Sequence, residues 1–359
     1  MKILQLIDSL NTGGAEMMAV NISNALLLDG KAVFLCASRK GGALTQRIDP
    51  NLNYFCLNKR NSLDAVAFWE LYKKVKKEKI NLIHAHSSSV FWAMLVKFLT
   101  LGKTKVLWHD HFGNRIFDKA NIFMVISSFF IDYVICVNEE LKNWADRSLV
   151  LDKKRIAYIN NFPSLKLSRL QPLNSWDTPK IAYLASFRVP KNHLNLIKAF
   201  AIFQNQVDFR PVLILAGRYQ QDEYFKTVKE YITQSGLTDT IEIMGDVANV
   251  GELLGEVHAG IIASDFEGLP VSLLEYGQAG LPVIVTNVGQ CGLVVNHGEF
   301  GRIVEKNNPE SMADGLKALF SNWEEAVMMG SKFKAHIQKN YGMENFLTKY
   351  YHLLDMKND

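Results

Sequence analysis

The chain has 359 residues, of which 48% are hydrophobic and 21% charged, and its formal net charge is +4. Domains commonly hold about 100–200 residues, so this length predicts two domains with ordinary hydrophobic cores. The apolar content excludes a disordered chain. The small net charge argues against a dedicated nucleic-acid binder, which would carry a concentrated basic face.

The first residues and the cysteines indicate where the protein works. Met1–Asp8 holds too short an apolar stretch for a secretory signal peptide and reads as a buried strand. The four cysteines show no disulfide or zinc spacing, which suits a reducing compartment. Ala120–Val137 resembles a membrane span, but polar residues interrupt it and it falls short of about 20 apolar residues. We interpret it as a helix to about Phe130 followed by a strand, and we expect a cytoplasmic protein.

Short apolar runs alternate with helical patterns through the first half of the chain. The predicted strands are Ile3–Asp8, Ala32–Ala37, Leu82–His86, Val106–His109, Tyr133–Asn138 and Ile156–Ile159. The predicted helices are Ala15–Leu28, Leu63–Lys77, Val90–Leu99, Ile116–Phe130 and Glu139–Arg147. Strands apolar on both faces are typical of a parallel sheet covered by helices. Repeated strand–helix units predict a doubly wound α/β fold.

Turn-forming residues interrupt this alternation between Asn160 and Pro179, a stretch that is long for a connection within one domain. We therefore predict a first domain over residues 1–165 and a second over residues 178–335. The later strands are predicted at Ile181–Ala185, Val212–Ala216, Ile241–Met244, Gly260–Ala263, Val283–Thr286 and Gly301–Val304. The later helices are predicted at Leu194–Gln204, Asp222–Thr233, Gly251–Leu254, Pro270–Ala279, Pro309–Ser321, Glu324–Lys339 and Glu344–Met356.

The most informative motif lies between Ala259 and Gly292. A buried strand ends at Ala263, a loop follows, and Pro270 suits the first turn of a helix that ends near Gly280. Free amides and the helix dipole at such a helix start favour an anion such as a diphosphate. Two acids belong to this region, Glu267 at the mouth of the helix and Glu275 about one and a half turns inside it.

Glu267-Gly268-Leu269-Pro270 and Glu275, followed by Ala279-Gly280-Leu281-Pro282-Val283, resemble the E-x7-E signature of retaining glycosyltransferase family 4. The resemblance implies a GT-B fold, in which two Rossmann-like domains face each other across a cleft. It also implies that a terminal helix, here residues 336–359, packs back on the first domain. In that family the first glutamate contacts the donor sugar and the second binds the ribose of the nucleotide.

Two further segments are similar to this family. Gly13-Gly14-Ala15-Glu16 resembles its GG-x-E loop, which approaches the donor phosphate and the acceptor. Arg188 and Lys191 follow a predicted strand and would stabilise the leaving diphosphate. The family usually has a wider spacing between its arginine and its lysine, and a glycine before the arginine. Lys191 therefore aligns with the family better than Arg188 does. No D-x-D pair occurs in the chain, which fits a site without a metal ion.

Four histidines, His84, His86, His109 and His111, stand in pairs at the ends of two predicted strands. The segment Leu107–Gly113 resembles the family segment whose histidine contacts the transferred sugar. We assign this role to His109 first and to His111 second. The alternative is a metal site, because H-x-H with Asp110 offers ligands, and this would suit a metal-dependent hydrolase.

The resemblance assigns each site residue a role. The predicted catalytic residues are Lys191, Arg188, Glu267 and His109, the donor-binding residues Gly14, Gly268, Leu269, Pro270, Val271 and Glu275, and the acceptor-side residues Gly13 and His111. We expect no cofactor and no metal, because the nucleotide sugar is itself a substrate.

The expected activity is transfer of a hexose, with retention, from a UDP- or GDP-sugar to a saccharide or lipid-linked saccharide in bacterial surface polysaccharide synthesis. A non-catalytic nucleotide-sugar-binding subunit is a further alternative. The helix Leu63–Lys77, with its lysines, is interpreted first as a solvated surface. The other interpretation is weak peripheral contact with anionic lipid at the inner face of the membrane.

Overall fold

The computed structural model describes residues 1–111, 128–167, 178–247 and 249–355. The chain divides into two compact units, one formed by Met1–Phe162 with Met343–Asp359 and the other by Pro163–Gly342. The helix predicted over Ile116–Phe130 falls almost wholly outside the described residues.

The first unit is built on a parallel seven-stranded sheet with the order β3-β2-β1-β4-β5-β6-β7. Its strands are β1 Lys2–Ser9, β2 Ala32–Lys40, β3 Asn53–Cys56, β4 Leu82–His86, β5 Lys105–Asp110, β6 Tyr133–Cys136 and β7 Ile156–Tyr158. Its first helices are α1 Gly14–Leu28, α2 Ala65–Glu78, α3 Val90–Leu99 and α4 Glu139–Ser148. Short 3-10 turns lie at Ala43–Arg47, Ser87–Ser89 and Lys153–Arg155.

The second unit repeats this design on a parallel six-stranded sheet with the order β10-β9-β8-β11-β12-β13. Its strands are β8 Lys180–Leu184, β9 Val212–Ala216, β10 Ile241–Gly245, β11 Ala259–Ile262, β12 Val283–Thr286 and β13 Arg302–Val304. Its helices are α5 His193–Gln204, α6 Glu223–Gln234, α7 Val250–Gly255, α8 Val271–Ala279, α9 Cys291–Val294, α10 Pro309–Ser321 and α11 Trp323–Asn340. A 3-10 turn lies at Asn296–Gly298. The last helix, α12 Met343–Asp355, belongs to the first unit.

Polar side chains before the helices explain where several of them begin. Asp64 accepts a hydrogen bond from the amide of Ala67 at the start of α2, and Asn138 does the same for Leu141 in α4. Asp222 caps α6 through the amide of Phe225. Each side chain satisfies an amide that has no partner within its helix, which fixes the first turn.

Helices cover both sheets, as the apolar strands predict. In the first unit, α2, α3 and α4 pack into one buried cluster on one face of the sheet. In the second unit, α5, α6 and α10 cover one face, and α7, α8 and α11 cover the other. Both sheets are doubly wound α/β structures, and in each the order of the strands reverses at the first strand, between β1 and β4 and between β8 and β11.

Among the described residues, none of the helices combines the length and the apolar character that a membrane span requires.

Candidate active site

The strand order places two predicted loops side by side in the second unit. The loop after β8 holds Arg188 and Lys191, and the loop after β11 holds Glu267 and Gly268. β8 and β11 are neighbouring strands at the point where the order reverses. Open parallel sheets bind ligands outside the carboxyl ends of their strands at this point. The topology therefore identifies this edge as the candidate site of the second unit.

Lys191 and Glu267 form an ion pair at this edge. The ammonium nitrogen of Lys191 lies 2.5 Å from Oε1 of Glu267, and the hydroxyl of Ser264 donates to the same oxygen at 2.6 Å. The side chains of the pair are 16% and 10% exposed, so water screens their charges weakly. The sequence predicted the two residues for separate roles on a donor molecule, whereas the structure shows that they contact each other.

Tyr183 holds the two loops together. Its hydroxyl donates to the carbonyl oxygen of Lys191 at 2.6 Å and lies 3.2 Å from Oγ of Ser264. Burial, and then the charge of Glu267, raise the pKa of this phenol well above its usual range, so it stays protonated and can donate. Nothing in the sequence marks Tyr183 as a site residue, because a tyrosine inside an apolar strand resembles any other core residue.

A second polar contact fixes the start of α5 against the β11 loop. The side-chain amide of Asn192 donates to Oδ1 of Asp265 at 2.6 Å, and the amide of Asp265 donates to the carbonyl oxygen of Pro190 at 2.9 Å. Asn192 also caps α5, accepting a hydrogen bond from the amide of Asn195. These contacts position Lys191, which directly precedes Asn192.

The helix α8 begins where the sequence predicted an anion site, with one difference. The first helical residue is Val271, and Pro270 precedes it in an extended conformation, so the predicted start at Pro270 is one residue early. Proline has no side-chain group that could cap the first amides of the helix. The amide of Leu273 donates back to the carbonyl oxygen of Pro270 at 3.1 Å, so the amides before it are the ones suited to bind water or a ligand.

The loop after β12 packs against the mouth of α8. The amide of Gln290 donates to the carbonyl oxygen of Gly268 at 3.0 Å. A β-carbon at Gly289 would lie 2.0 Å from the carbonyl oxygen of Glu267, and the φ of Gly289 is +53°. Only glycine fits this position, because both the close approach and the left-handed backbone disfavour a side chain.

The remaining donor-side residues differ in exposure. Glu275 lies inside α8 and is 4% exposed, and Leu269, Pro270 and Val271 are buried. Arg188 is exposed and joins the site through its carbonyl oxygen, which accepts the amide of Lys191 at 2.8 Å. The contacts of Arg188 and Glu275 with a nucleotide sugar stay predictions.

In the first unit, the four predicted histidines form two hydrogen-bonded pairs, which we call the histidine array. Nε2 of His84 lies 3.2 Å from Nδ1 of His109, and Nδ1 of His86 lies 3.0 Å from Nε2 of His111. Nε2 of His86 also lies 2.8 Å from Oε1 of Gln5. The pairs stack on each other, with ring centres 4.6 Å apart for His84 and His86 and 4.0 Å apart for His109 and His111.

The geometry of the array favours hydrogen bonding over metal binding. Nitrogens of His84, His86 and His109 lie within 4.8 Å of one another, which makes them candidate ligands. However, the ring centres of His84 and His109 are 5.3 Å apart, about 2 Å more than their nitrogens, so the nitrogens point at each other. A proton between two facing nitrogens satisfies both, whereas a shared metal needs both lone pairs to converge on a third point.

Burial lowers the pKa of all four histidines, and it lowers that of His111 to about 3. Neutral imidazoles suit this arrangement, because each pair needs one donor and one acceptor. Tyr350 of α12 stacks on His84 at 5.6 Å, so the terminal helix covers the array. His109 is fully buried, and its predicted contact with the transferred sugar stays a prediction, as does the acceptor-side role of His111.

The glycine loop of the first unit follows β1. Gly13 is the residue before α1, and Gly14 is the first residue of that helix. A β-carbon at Gly13 would lie 2.3 Å from Oε2 of Glu16, so the glutamate folds back over the start of its own helix. A carboxylate is stabilised at this end of the helix dipole. The predicted approach of Gly13 and Gly14 to substrate stays a prediction.

Asp8, at the end of β1, is a polar centre that the sequence analysis missed. Its carboxylate accepts from Lys59 at 2.6 Å and from Ser38 at 2.7 Å, and Arg39 lies 3.5 Å away. Burial raises the pKa of Asp8, but the hydrogen bonds and charges of these partners outweigh it and leave the pKa lowered. Lys59 reaches Asp8 from a loop 51 residues away, a distance over which sequence spacing carries no signal.

Both sheets place polar groups at the point where the strand order reverses. Comparison with known proteins identifies the class of protein that has this fold. One solved structure with a similar fold is HepE from Anabaena, in complex with UDP and glucose. It shares 18% identity over 99% of this chain and 100% of its own, with a TM-score of 0.82. The fold is the GT-B fold of nucleotide-sugar-dependent glycosyltransferases.

Two family descriptions then cover most of the chain. Residues 12–165 match "Glycosyltransferase Family 4", and residues 169–336 match "Glycosyl transferases group 1". The chain belongs to these GT-B glycosyltransferases of the group 1, family 4 type. This confirms the predicted glycosyltransferase family and fold class, whereas retention of configuration stays a prediction.

Two relatives whose names describe glycosyltransferases agree with this family. An uncharacterised glycosyltransferase of Haemophilus influenzae is 22% identical over 95% of this chain and 96% of its own length. The capsular polysaccharide biosynthesis glycosyltransferase CapH of Staphylococcus aureus is 22% identical over 76% of this chain and 78% of its own.

Proposed function

We propose that this glycosyltransferase transfers a hexose, with retention of anomeric configuration, from a UDP- or GDP-sugar to a saccharide or lipid-linked saccharide acceptor. The name of CapH supports a role in bacterial surface polysaccharide synthesis, and the UDP bound by HepE supports a nucleotide-sugar donor. Four free cysteines, three of them buried, suit a cytoplasmic enzyme. No metal and no cofactor enter the proposed reaction.

The observation that carries the proposal is the ion pair between Lys191 and Glu267 beside the start of α8. A cation next to the start of a helix is a place where a diphosphate gains charge stabilisation. When the donor binds, its phosphate would compete with Glu267 for the ammonium group. Glu267 would then be free to accept hydrogen bonds from sugar hydroxyls.

In the proposed reaction the bond between the anomeric carbon and the diphosphate oxygen breaks, and a bond to an acceptor oxygen forms on the same face of the sugar. The acceptor proton passes to the leaving phosphate, so the protein supplies no general base and no covalent nucleophile. Lys191 and the first amides of α8 stabilise the charge that develops on the leaving group. Removal of one such donor typically slows an enzyme by ~10²–10³-fold.

The first experiment identifies the donor nucleotide sugar. A ligand that binds only the folded state raises the thermal midpoint, so UDP-, GDP- and ADP-sugars are compared by thermal shift. The preferred donor is then used to measure nucleotide release with wild type, Lys191→Met and the control Lys317→Met, which changes an exposed lysine of α10. We expect Lys191→Met to lose activity by ~10²-fold or more and the control to keep it. Full activity in Lys191→Met, or no response to any nucleotide sugar, would refute the proposal.

A further inference from the structure

The carboxyl edge of the first sheet gathers polar side chains from four neighbouring strands around Asp8. They are Ser38 and Arg39 near the end of β2, Lys59 in the segment after β3, and Ser88 in the turn after β4. We call these residues the Asp8 cluster. Asp8 itself stands near the end of β1, and the strand order reverses between β1 and β4. Open parallel sheets bind ligands at such a point.

The two oxygens of the Asp8 carboxylate differ in their contacts. Oδ1 accepts hydrogen bonds from Nζ of Lys59 at 2.6 Å and from Oγ of Ser38 at 2.7 Å. Oδ2 lies 3.5 Å from Nε of Arg39 and 3.5 Å from Oγ of Ser88. Ordinary hydrogen bonds are shorter than this, so Oδ2 is weakly satisfied. The Asp8 side chain is 32% exposed, which leaves Oδ2 able to accept from the hydroxyl of a ligand.

Lys59 holds the Asp8 carboxylate in place. Its side chain is 7% exposed, and its ammonium nitrogen lies 4.6 Å from the centre of the Trp92 ring. The backbone amide of Lys59 donates to the carbonyl oxygen of Ser38 at 2.9 Å. These contacts fix Lys59 from three directions. The Asp8 carboxylate is therefore anchored through Oδ1 while it presents Oδ2.

The edge around the Asp8 cluster is basic. Residues 8–14, 38–42, 57–62 and 87–89, which reach this edge, contain four lysines and arginines against one aspartate. Arg39 is 42% exposed, and its long contact with Asp8 is the only ion pair that the described part of the chain provides for it. The other nitrogens of its planar guanidinium suit carboxylate or phosphate oxygens. The excess of positive charge attracts an anion to this edge.

Two hydroxyls beside the cluster have unused hydrogen-bonding capacity. Oγ1 of Thr12, after β1, and Oγ of Ser89, after β4, are buried and make no hydrogen bond within the described residues. Buried polar groups are normally hydrogen-bonded. The loops at this edge therefore have capacity for water or for a polar ligand.

We propose that the Asp8 cluster binds the acceptor and selects a saccharide that carries an anionic group. A sugar hydroxyl donates to Oδ2 of Asp8, and the guanidinium of Arg39 binds the anionic group, which is a carboxylate or a phosphate. Asp8 alone would suit a neutral saccharide, whereas the excess of cations around it favours an anionic one. This inference rests on the proposed transfer reaction and names the class of its acceptor.

The experiment compares glucose, glucuronic acid and glucose-6-phosphate, which differ at a single carbon. Saturation-transfer NMR titrations of the full chain give their dissociation constants, with the nucleoside diphosphate of the preferred donor present to occupy the proposed donor site. We expect one of the anionic sugars to bind about tenfold or more tighter than glucose, because a charge-assisted hydrogen bond is added. Raised salt should reduce this preference. The tighter of the two identifies the anionic group as a carboxylate or a phosphate.

Variants separate the two contacts. Arg39→Gln should weaken binding of the anionic sugar by about tenfold and leave that of glucose unchanged. Asp8→Asn should weaken binding of all three sugars, because the acceptor for the hydroxyl is lost. Since Asp8→Asn leaves the buried Lys59 unpaired, Asp8→Asn/Lys59→Met is measured beside it. Thermal midpoints show which variants fold, and the exposed Arg39 keeps the test decisive if the Asp8 variants do not.

Arg155→Gln is the matched control. Arg155 is exposed in the turn just before β7, so it lies at the amino edge of the same parallel sheet. This variant should bind all three sugars like wild type.

Two results would overturn the inference. Wild-type protein could bind the three sugars equally, or Arg39→Gln could keep the preference for the anionic sugar. Hydrolysis of the nucleotide sugar needs no acceptor and is measured separately. Hydrolysis without any preference among the sugars would refute this inference alone, whereas neither hydrolysis nor a thermal response to any nucleotide sugar would refute the proposed function.

Discussion

Lys191, Glu267 and Ser264 form a small network in which each group depends on the others. A partly buried carboxylate that loses its cation is left uncompensated, and such a loss typically destabilises a protein by several kcal/mol. The two loops therefore stabilise each other through charge as well as through Tyr183. The same contacts that hold the loops together place the cation where the proposed reaction needs it.

Tyr183→Phe tests whether the loops must be held for activity. The substitution removes the donor to the Lys191 carbonyl and the contact with Ser264, so we expect a loss of about 1–3 kcal/mol in the free energy of unfolding. We also expect slower transfer, because Lys191 loses its anchor. Urea unfolding and transfer rates provide the two measurements.

The control is Tyr276→Phe. The hydroxyl of Tyr276 donates to the carbonyl oxygen of Ala182 at 3.1 Å and accepts the amide of Leu184 at 2.7 Å, away from Lys191. It should lose similar stability but less activity. If both variants lose activity in proportion to stability, the positioning role of Tyr183 is wrong.

Glu275→Ala addresses the ribose prediction. If Glu275 binds the ribose hydroxyls, the variant should bind nucleotide weakly and lose most transfer. Calorimetric titration with the free nucleoside diphosphate measures the affinity directly. Wild-type affinity in the variant would contradict the ribose role.

Among the secondary-structure elements, α8 is fixed against α11 by two glycines. A β-carbon at Gly277 would lie 2.4 Å from Cγ1 of Ile337, and one at Gly330 would lie 2.3 Å from the carbonyl oxygen of Gly280. Backbone atoms cannot move aside as flexible side chains do. The two helices therefore approach through positions that exclude even a methyl group.

Gly330→Ala should destabilise the second unit, although alanine favours helices by about 1 kcal/mol over glycine. The collision with the backbone of Gly280 outweighs this gain, because overpacking typically costs about 1–3 kcal/mol. Ser331→Ala, at an exposed position of the same helix, should be nearly neutral. Thermal unfolding of both variants gives the comparison, and a Gly330→Ala protein as stable as wild type would show that the helices can separate freely.

The sequence predicted most elements within one or two residues because buried parallel strands are short and apolar on both faces. β3 was missed, because Asn53–Cys56 is a strand of only four residues that lies partly exposed at the edge of the sheet. The sequence also predicted Lys191 and Glu267 as site residues but not their contact. Their contact depends on β8 lying next to β11, and nothing in the spacing of the sequence gives the order of strands in a sheet.

For the whole molecule, the histidine array predicts how stability depends on pH. The pKa values of its histidines are lowered in the folded state, whereas an unfolded histidine has a pKa near 6.5. As pH falls below about 6.5, the unfolded state binds protons first, so stability decreases. The effect of His111 extends down to its folded pKa of about 3. Each such group contributes a slope of up to about 1.4 kcal/mol per pH unit.

His111→Gln should therefore give a shallower loss of stability between pH 6.5 and 5 than wild type. The exposed His297→Gln is the control, and its slope should match wild type. Urea midpoints at several pH values measure both slopes. Identical slopes for all three proteins would show that His111 is charged in the folded state or is not buried.

The membership of α12 in the first unit has a consequence for biosynthesis. Residues 163–342 of the second unit lie between the two parts of the first, so a ribosome completes the second unit before it makes α12. Until then His84 lacks the ring of Tyr350 that stacks on it. The nascent protein therefore completes its first unit last, and a chain cut short at Gly342 would lack the ring that covers His84.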